Sequence, residues 1–107
     1  MIVMKFGGTS VGRPERMRKI AALLQETKGK KLVVLSALSG TTNTLVKIGE
    51  ALIAGQPEVA EAEIKTLELH YEKFTDELFE TPAYKAIGKE IVSRFFSLFR
   101  LLAAGDP

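Results

Sequence analysis

The chain has 107 residues, 46% of them hydrophobic and 26% charged, with a formal net charge of +2, the composition of a protein that can form a core. It contains no cysteine and one histidine, which excludes disulfides, thiolate chemistry and Cys/His metal clusters, so any metal would need oxygen ligands or phosphate. The opening apolar run is too short for a signal peptide and no apolar segment reaches about 18 residues, which predicts a cytoplasmic protein with no membrane span.

Ile2-Val3-Met4 is too short for an isolated helix and reads as a buried strand leading to Lys5. Lys5-Phe6-Gly7-Gly8-Thr9-Ser10-Val11-Gly12 then forms a glycine-rich stretch between that strand and a helix. Adjacent glycines reach backbone angles closed to other residues and let a ligand approach their N–H groups, which together make an anion-binding concavity. Pro14 suits the first turn of a helix, so the loop is expected to end near Gly12 or Arg13, with the helix's partial positive charge adding to the attraction for phosphate. Lys5 supplies a full positive charge, and Thr9 and Ser10 add two hydroxyls. The stretch is not a Walker A loop, because Arg13-Pro14 stands where that motif needs Lys and then Ser or Thr, and it lacks the glycine triple of the dinucleotide fingerprint. The alternative is a strand-to-helix turn that uses its glycines for geometry alone.

Met17, Ile20, Ala21 and Leu24 give one apolar stripe on a helix of about four turns, with Gly29 as a stop. Leu32-Val33-Val34-Leu35 is a second strand, and strand, helix, strand at this spacing implies a crossover joining parallel strands. Both strands then end on one side of the sheet, where ligands of open α/β sheets bind, so Lys5 to Gly8 and Ser36 to Asn43 become parts of one candidate site. Seven basic side chains lie between residues 13 and 31, but they are spread around the helix and its exit without interleaved aromatics. Nine acidic against four basic groups in residues 56 to 90 offset them, so they read as solvated faces and not as a nucleic-acid surface.

The second loop is rich in hydroxyls: Ser36, Ser39, Thr41 and Thr42 suit a carboxylate or phosphate, while Thr41, Thr42 or Asn43 equally suit the cap of the next helix. That helix carries Leu45, Ile48, Leu52 and Ile53, ends near Gly55, and contains Gly49, whose cost of about 1 kcal/mol relative to Ala predicts a close contact there. Pro57 opens a helix with Ala60, Ile64, Leu67, Tyr71, Phe74 and Leu78 on one seam, and His70 beside that seam reads as structural or surface. Thr81-Pro82 caps a last helix to about Ala104, its main stripe being Tyr84, Ile87, Ile91, Phe95, Leu98 and Leu102, widened by Val92, Phe96 and Phe99. The short turn predicts an antiparallel pair with the preceding helix, and the wide apolar face predicts a further partner.

Lys5 to Gly12, KFGGTSVG, resembles the N-terminal signature of aspartokinases, a branch of the amino acid kinase family. Val33 to Leu45, VVLSALSGTTNTL, resembles the second strand of that family and the loop after it, at a fitting distance from the first block. The resemblance implies an α/β fold, the N-terminal part of the amino acid kinase (carbamate kinase-like) fold, with parallel strands and a helix-rich C-terminal half. Residues 1–45 would be a β-α-β unit with the phosphate and substrate loops, and 46–107 a helical portion.

The implied reaction passes the γ-phosphoryl group of ATP to the side-chain carboxylate of L-aspartate, giving 4-phospho-L-aspartate, the first step toward lysine, threonine and methionine. A carboxylate is already nucleophilic at neutral pH, so positioning and charge neutralisation replace a general base. Lys5 would be the catalytic residue, stabilising charge on the transferred phosphoryl, with Gly7 and Gly8 donating N–H groups and Thr9 and Ser10 in the same phosphate loop. Ser36 would order the phosphate end and Thr42 would hold aspartate; Mg2+ would arrive with ATP, with no protein metal site and no tightly bound cofactor. Aspartokinases continue into a nucleotide half and regulatory domains that these residues do not include. An N-terminal fragment, inactive alone and self-associating or contacting the missing C-terminal part, is therefore expected. A kinase of the same fold acting on another acid, or a non-catalytic helical interaction module built on residues 57 to 104, are the alternatives.

Overall fold

A computed structural model describes residues 1–105. The chain divides into two compact units, the first Met1–Gly40 and the second running from Thr41 onward.

In the first unit, strand β1 (Ile2–Phe6) is followed by a single helical turn α1 (Gly8–Val11), helix α2 (Pro14–Glu26) and strand β2 (Lys31–Leu35). The strands pair in parallel, with Met4 beside Val33, Lys5 beside Val34 and Phe6 beside Leu35. The Ile2 N–H bonds Lys30 O and the Ser36 N–H bonds Phe6 O, both at 3.0 Å, extending the ladder at either end. Arg13 lies in an extended conformation ahead of Pro14, which starts α2 as the proline predicts. Gly29, at φ +89°, makes the turn into β2 that a side chain would strain. Val11, Ile20 and Leu38 are the buried apolar residues among those described in this unit.

The strands were expected to be buried, and only one face of the pair is partly covered. Met4, Phe6 and Val33 are half-buried, whereas Val3, Lys5, Leu32 and Val34 are exposed. A parallel pair of this apolar character needs a layer on each face, and α2 supplies one of them.

The second unit holds α3 (Thr41–Ile53), α4 (Pro57–Leu78) and α5 (Pro82–Ala103). Ile48, Ala51, Ala60, Ile64, Leu67, Val92 and Phe96 make its core, with Tyr71, Phe99 and Ala103 packed at the margin. A Schellman turn ends α3: Gln56 N–H bonds Ala51 O, Gly55 N–H bonds Leu52 O, and Gly55 takes φ +71°. Thr81 caps α5 as expected, its hydroxyl accepting from the Tyr84 N–H at 3.3 Å. Lys85 faces Asp76 at the start of α5 and Arg100 faces Glu61 near its end, so α4 and α5 run antiparallel.

One sequence expectation fails here, and the structure decides a second point that the sequence left open. Gly49 meets nothing: a Cβ there would have no atom within 4 Å, so no close contact explains it. On α5 the stripe against α4 is Gly88, Val92 and Phe96, with Phe99 beside it, while Tyr84, Ile87, Ile91, Phe95, Leu98 and Leu102 are exposed. The cause is Gly88, where a Cβ would stand 3.0 Å from Phe79 Cε2 and 3.2 Å from Thr75 Cβ. The helices cross where this side chain is missing, and that rotation leaves the longer stripe uncovered.

Glu68 is the one charged group buried among the described residues, and Arg100 answers it. Arg100 Nη2 donates to Glu68 Oε1 at 2.9 Å and its Nε to Glu61 Oε1 at 2.8 Å. The hydrogen bonds, to Glu68 first and Glu61 second, hold the Arg100 pKa above its ordinary value. Thr41, at the start of α3, does its polar work across the unit, its hydroxyl 2.8 Å from the Tyr71 hydroxyl. His70 is exposed, as expected, with its ring set edge-on to Tyr71 at 6.0 Å. No helix among the described residues is long and apolar enough to cross a membrane.

Candidate functional site

The carboxyl ends of β1 and β2 carry the two loops that the sequence singles out, and the loops touch. A Cβ on Gly8 would lie 3.7 Å from both Ser36 Oγ and Ala37 O, and one on Gly12 would lie 2.8 Å from Ser39 Oγ. Residues about thirty apart in the chain are thus brought to one edge of the sheet, as parallel pairing requires.

The glycine-rich stretch is more regular than the sequence suggests. Gly7 is extended, at φ −79° and ψ 175°, and its carbonyl accepts from the N–H groups of Ser10 at 3.0 Å and Val11 at 3.2 Å. The stretch therefore closes as the helical turn Gly8–Val11, not as an open loop. Val11 supplies the reason, since its fully buried side chain pins the turn against the core. Neither Gly7 nor Gly8 adopts a positive φ, so the backbone angles do not demand glycine at either place. Gly7 has open space where a Cβ would be. The first N–H groups of any helical turn have no carbonyl of their own turn to bond, and here they follow Gly7.

Lys5 stands one residue before the end of β1, exposed, on the strand face away from Met4 and Phe6. Thr9 and Ser10 are exposed within the turn, and Ser36, also exposed, directs its hydroxyl to Ala37 O at 3.3 Å. Thr42 belongs to the other unit, where it is exposed in the first turn of α3. Among the described residues no three histidine, cysteine or carboxylate side chains converge to hold a metal.

One residue at the turn escaped the sequence reading. Arg16, which was counted among solvated basic side chains, donates from Nη1 to Thr9 O at 2.8 Å and ties α2 to the turn. Its place in the first turn after Pro14, seven residues beyond Thr9, was the available signal. With Phe6, Ser10, Lys19 and Ile20 it borders a shallow cleft of about 340 Å³ on the α2 side of β1.

Comparison with known proteins gives the family of the chain. The profile of the amino acid kinase family matches residues 1–99. The chain is 46% identical over 59 residues to an aspartate kinase of Pseudomonas fluorescens (strain SBW25), covering 52% of this chain and 14% of that protein. It is 46% identical over 52 residues to the chloroplastic aspartokinase 2 of Arabidopsis thaliana, covering 48% of this chain and 10% of that one. It is 43% identical over 56 residues to the lysine-sensitive aspartokinase 3 of Escherichia coli (strain K12), covering 52% and 12%. The chain thus spans only a small part, at most 14%, of the length of these relatives. A match over residues 1–99 makes this chain a member of the amino acid kinase family, and the relatives that it resembles within the family are aspartokinases.

Proposed function

We propose that these residues form the phosphate and acceptor loops of an aspartate kinase, which transfers the γ-phosphoryl group of ATP to the side-chain carboxylate of L-aspartate. The observation that carries this reading is the meeting of the two loops at one sheet edge, Gly8 against Ser36 and Gly12 against Ser39, with Lys5 on the adjoining strand. The state of Gly7 supports it: with an ordinary backbone and open space beside it, the fold does not require glycine there, whereas close approach of a phosphate to backbone N–H groups does.

In this reading the carboxylate of the acceptor attacks the terminal phosphorus, the bond to the bridging oxygen breaks, and ADP leaves. Lys5 neutralises charge on the transferred phosphoryl, and the N–H groups following Gly7 take the remainder. Thr9 and Ser10 border the phosphates, Ser36 orders that end of the site and Thr42 contacts aspartate. The described residues form no carboxylate cluster for Mg2+. Mg2+ would arrive with the nucleotide. The activity belongs to a protein of the relatives' length, and the 107 residues alone are expected to turn over no substrate.

The test is an ATP-dependent aspartyl hydroxamate assay on this chain and on a chimera in which it replaces the matching segment of the Escherichia coli aspartokinase. The chimera is expected to be active on aspartate and to lose on the order of 10²–10³ in kcat with Lys5→Ala, the scale of a missing oxyanion donor. A chimera indifferent to Lys5→Ala, or one that phosphorylates another acid and ignores aspartate, would sink the reading.

A further inference from the structure

The helical turn Gly8–Val11 stops after four residues, and Arg13 beyond it is extended. The N–H four residues after Thr9 therefore does not return to the Thr9 carbonyl, as it would in a longer helix. Arg16 takes that place. Its Nη1 donates to Thr9 O at 2.8 Å, reaching back across seven residues of chain. Its own backbone is fixed for the task, because Pro14 sets the start of α2 and the Arg16 N–H bonds Arg13 O at 3.1 Å in the first turn of that helix. Arg13, Arg94 and Arg100 each stand against a carboxylate, whereas Arg16 sets its charge on a backbone oxygen and pairs with no carboxylate among the described residues.

The effect of that charge passes along the peptide groups. In a trans peptide the C=O and the N–H point opposite ways. The peptide whose oxygen meets Arg16 carries the Ser10 N–H, which donates to Gly7 O at 3.0 Å. The peptide that holds Gly7 O carries in turn the Gly8 N–H, the first of the helical turn. One chain of hydrogen bonds thus runs from the guanidinium through the Thr9 and Gly7 carbonyls to the Gly8 N–H, with its peptide dipoles head to tail. A cation at the carbonyl end of such a chain polarises it, and each bond strengthens the next.

We propose that Arg16 is a positioning residue for phosphoryl transfer, on the reading of this turn as the phosphate loop of an aspartate kinase: it holds the turn closed and polarises the Gly8 N–H toward a phosphoryl oxygen without touching the phosphate. Lys5 supplies charge directly, and Arg16 supplies the strength of a backbone donor. Because that donor meets charge that develops during transfer, the contribution falls on kcat and not on aspartate binding.

Nuclear magnetic resonance of the 107-residue chain gives a readout that does not depend on activity. Arg16→Gln, which removes the charge from an exposed position, should move the amide proton resonances of Ser10 and Gly8 upfield and leave those of α4 and α5 in place. It should also weaken binding of inorganic tripolyphosphate severalfold, followed at the Gly8 amide. In the chimera with the Escherichia coli aspartokinase, Arg16→Gln should lower kcat about tenfold, less than the loss of a direct donor, with KM for aspartate unchanged. Arg16→Lys, which keeps the charge, should lose less. Ser10 and Gly8 resonances that Arg16→Gln leaves unmoved would overturn the proposal, as would an unchanged kcat in a chimera that Lys5→Ala cripples, or a loss confined to KM for aspartate. A chimera that ignores aspartate would instead sink the kinase reading, and the tripolyphosphate titration would still decide whether Arg16 acts on Gly8.

Discussion

A Cβ on Gly12 would lie 2.7 Å from the backbone oxygen of Gly8, an atom that cannot move without unwinding the turn, whereas one on Gly49 would meet open space. Gly12→Ala is therefore expected to lower stability by about 1–3 kcal/mol through overpacking. Gly49→Ala should raise it by about 1 kcal/mol through helix propensity alone. Thermal unfolding of the two variants beside the parent checks both signs. Arg100 makes a different kind of contribution, because its removal strands the buried carboxylate of Glu68 with only Lys65, at 3.9 Å, nearby. Arg100→Met should cost about 3 kcal/mol, and adding Glu68→Leu should restore most of it, since the penalty comes from the unpaired charge and not from lost packing. Urea unfolding of the single and double variants would decide; a double variant no more stable than the single would show that the pair's geometry matters in its own right.

At the scale of elements, the positions of strands and helices were legible because each is punctuated. Pro14, Pro57 and Pro82 stand at helix starts, while Gly29 and Gly55 turn the chain with positive φ. Which stripe of a helix meets its neighbour was not legible. Apolar periodicity marks both stripes of α5, and the absent Cβ of Gly88 lets α4 approach along the shorter. Gly88→Val should therefore destabilise the second unit by about 1–3 kcal/mol, despite valine's better helix propensity, as its branches meet Phe79 and Thr75. Unchanged thermal unfolding would show that Phe79 yields freely and that the crossing is set elsewhere. On α3 the same ambiguity arises: Ile48 is buried with Thr41 and Ala51, and Leu45, Leu52 and Ile53 of the expected stripe stay exposed.

The molecule as a whole carries more apolar surface than its own elements cover. In the first unit this is the sheet face with Val3, Leu32 and Val34, and in the second the long stripe of α5. A parallel strand pair is completed by further layers of the same fold.

By itself the sequence determined the order and type of the elements, the parallel pairing and the meeting of two loops at one sheet edge. Local signals carry all of these: prolines that fix φ, glycines that free it, apolar runs too short for helices, and a helical crossover that returns the second strand parallel to the first, so that both end together. It also carried the family, in residues whose chemistry and spacing are distinctive along the chain. Only the tertiary structure decided that the glycine stretch closes into a helical turn over Val11, that Arg16 braces it, and which face of each helix and strand is covered. Those outcomes depend on what lies across the gap from a residue, and a single missing Cβ, as at Gly88, changes the answer without altering the pattern that the sequence displays.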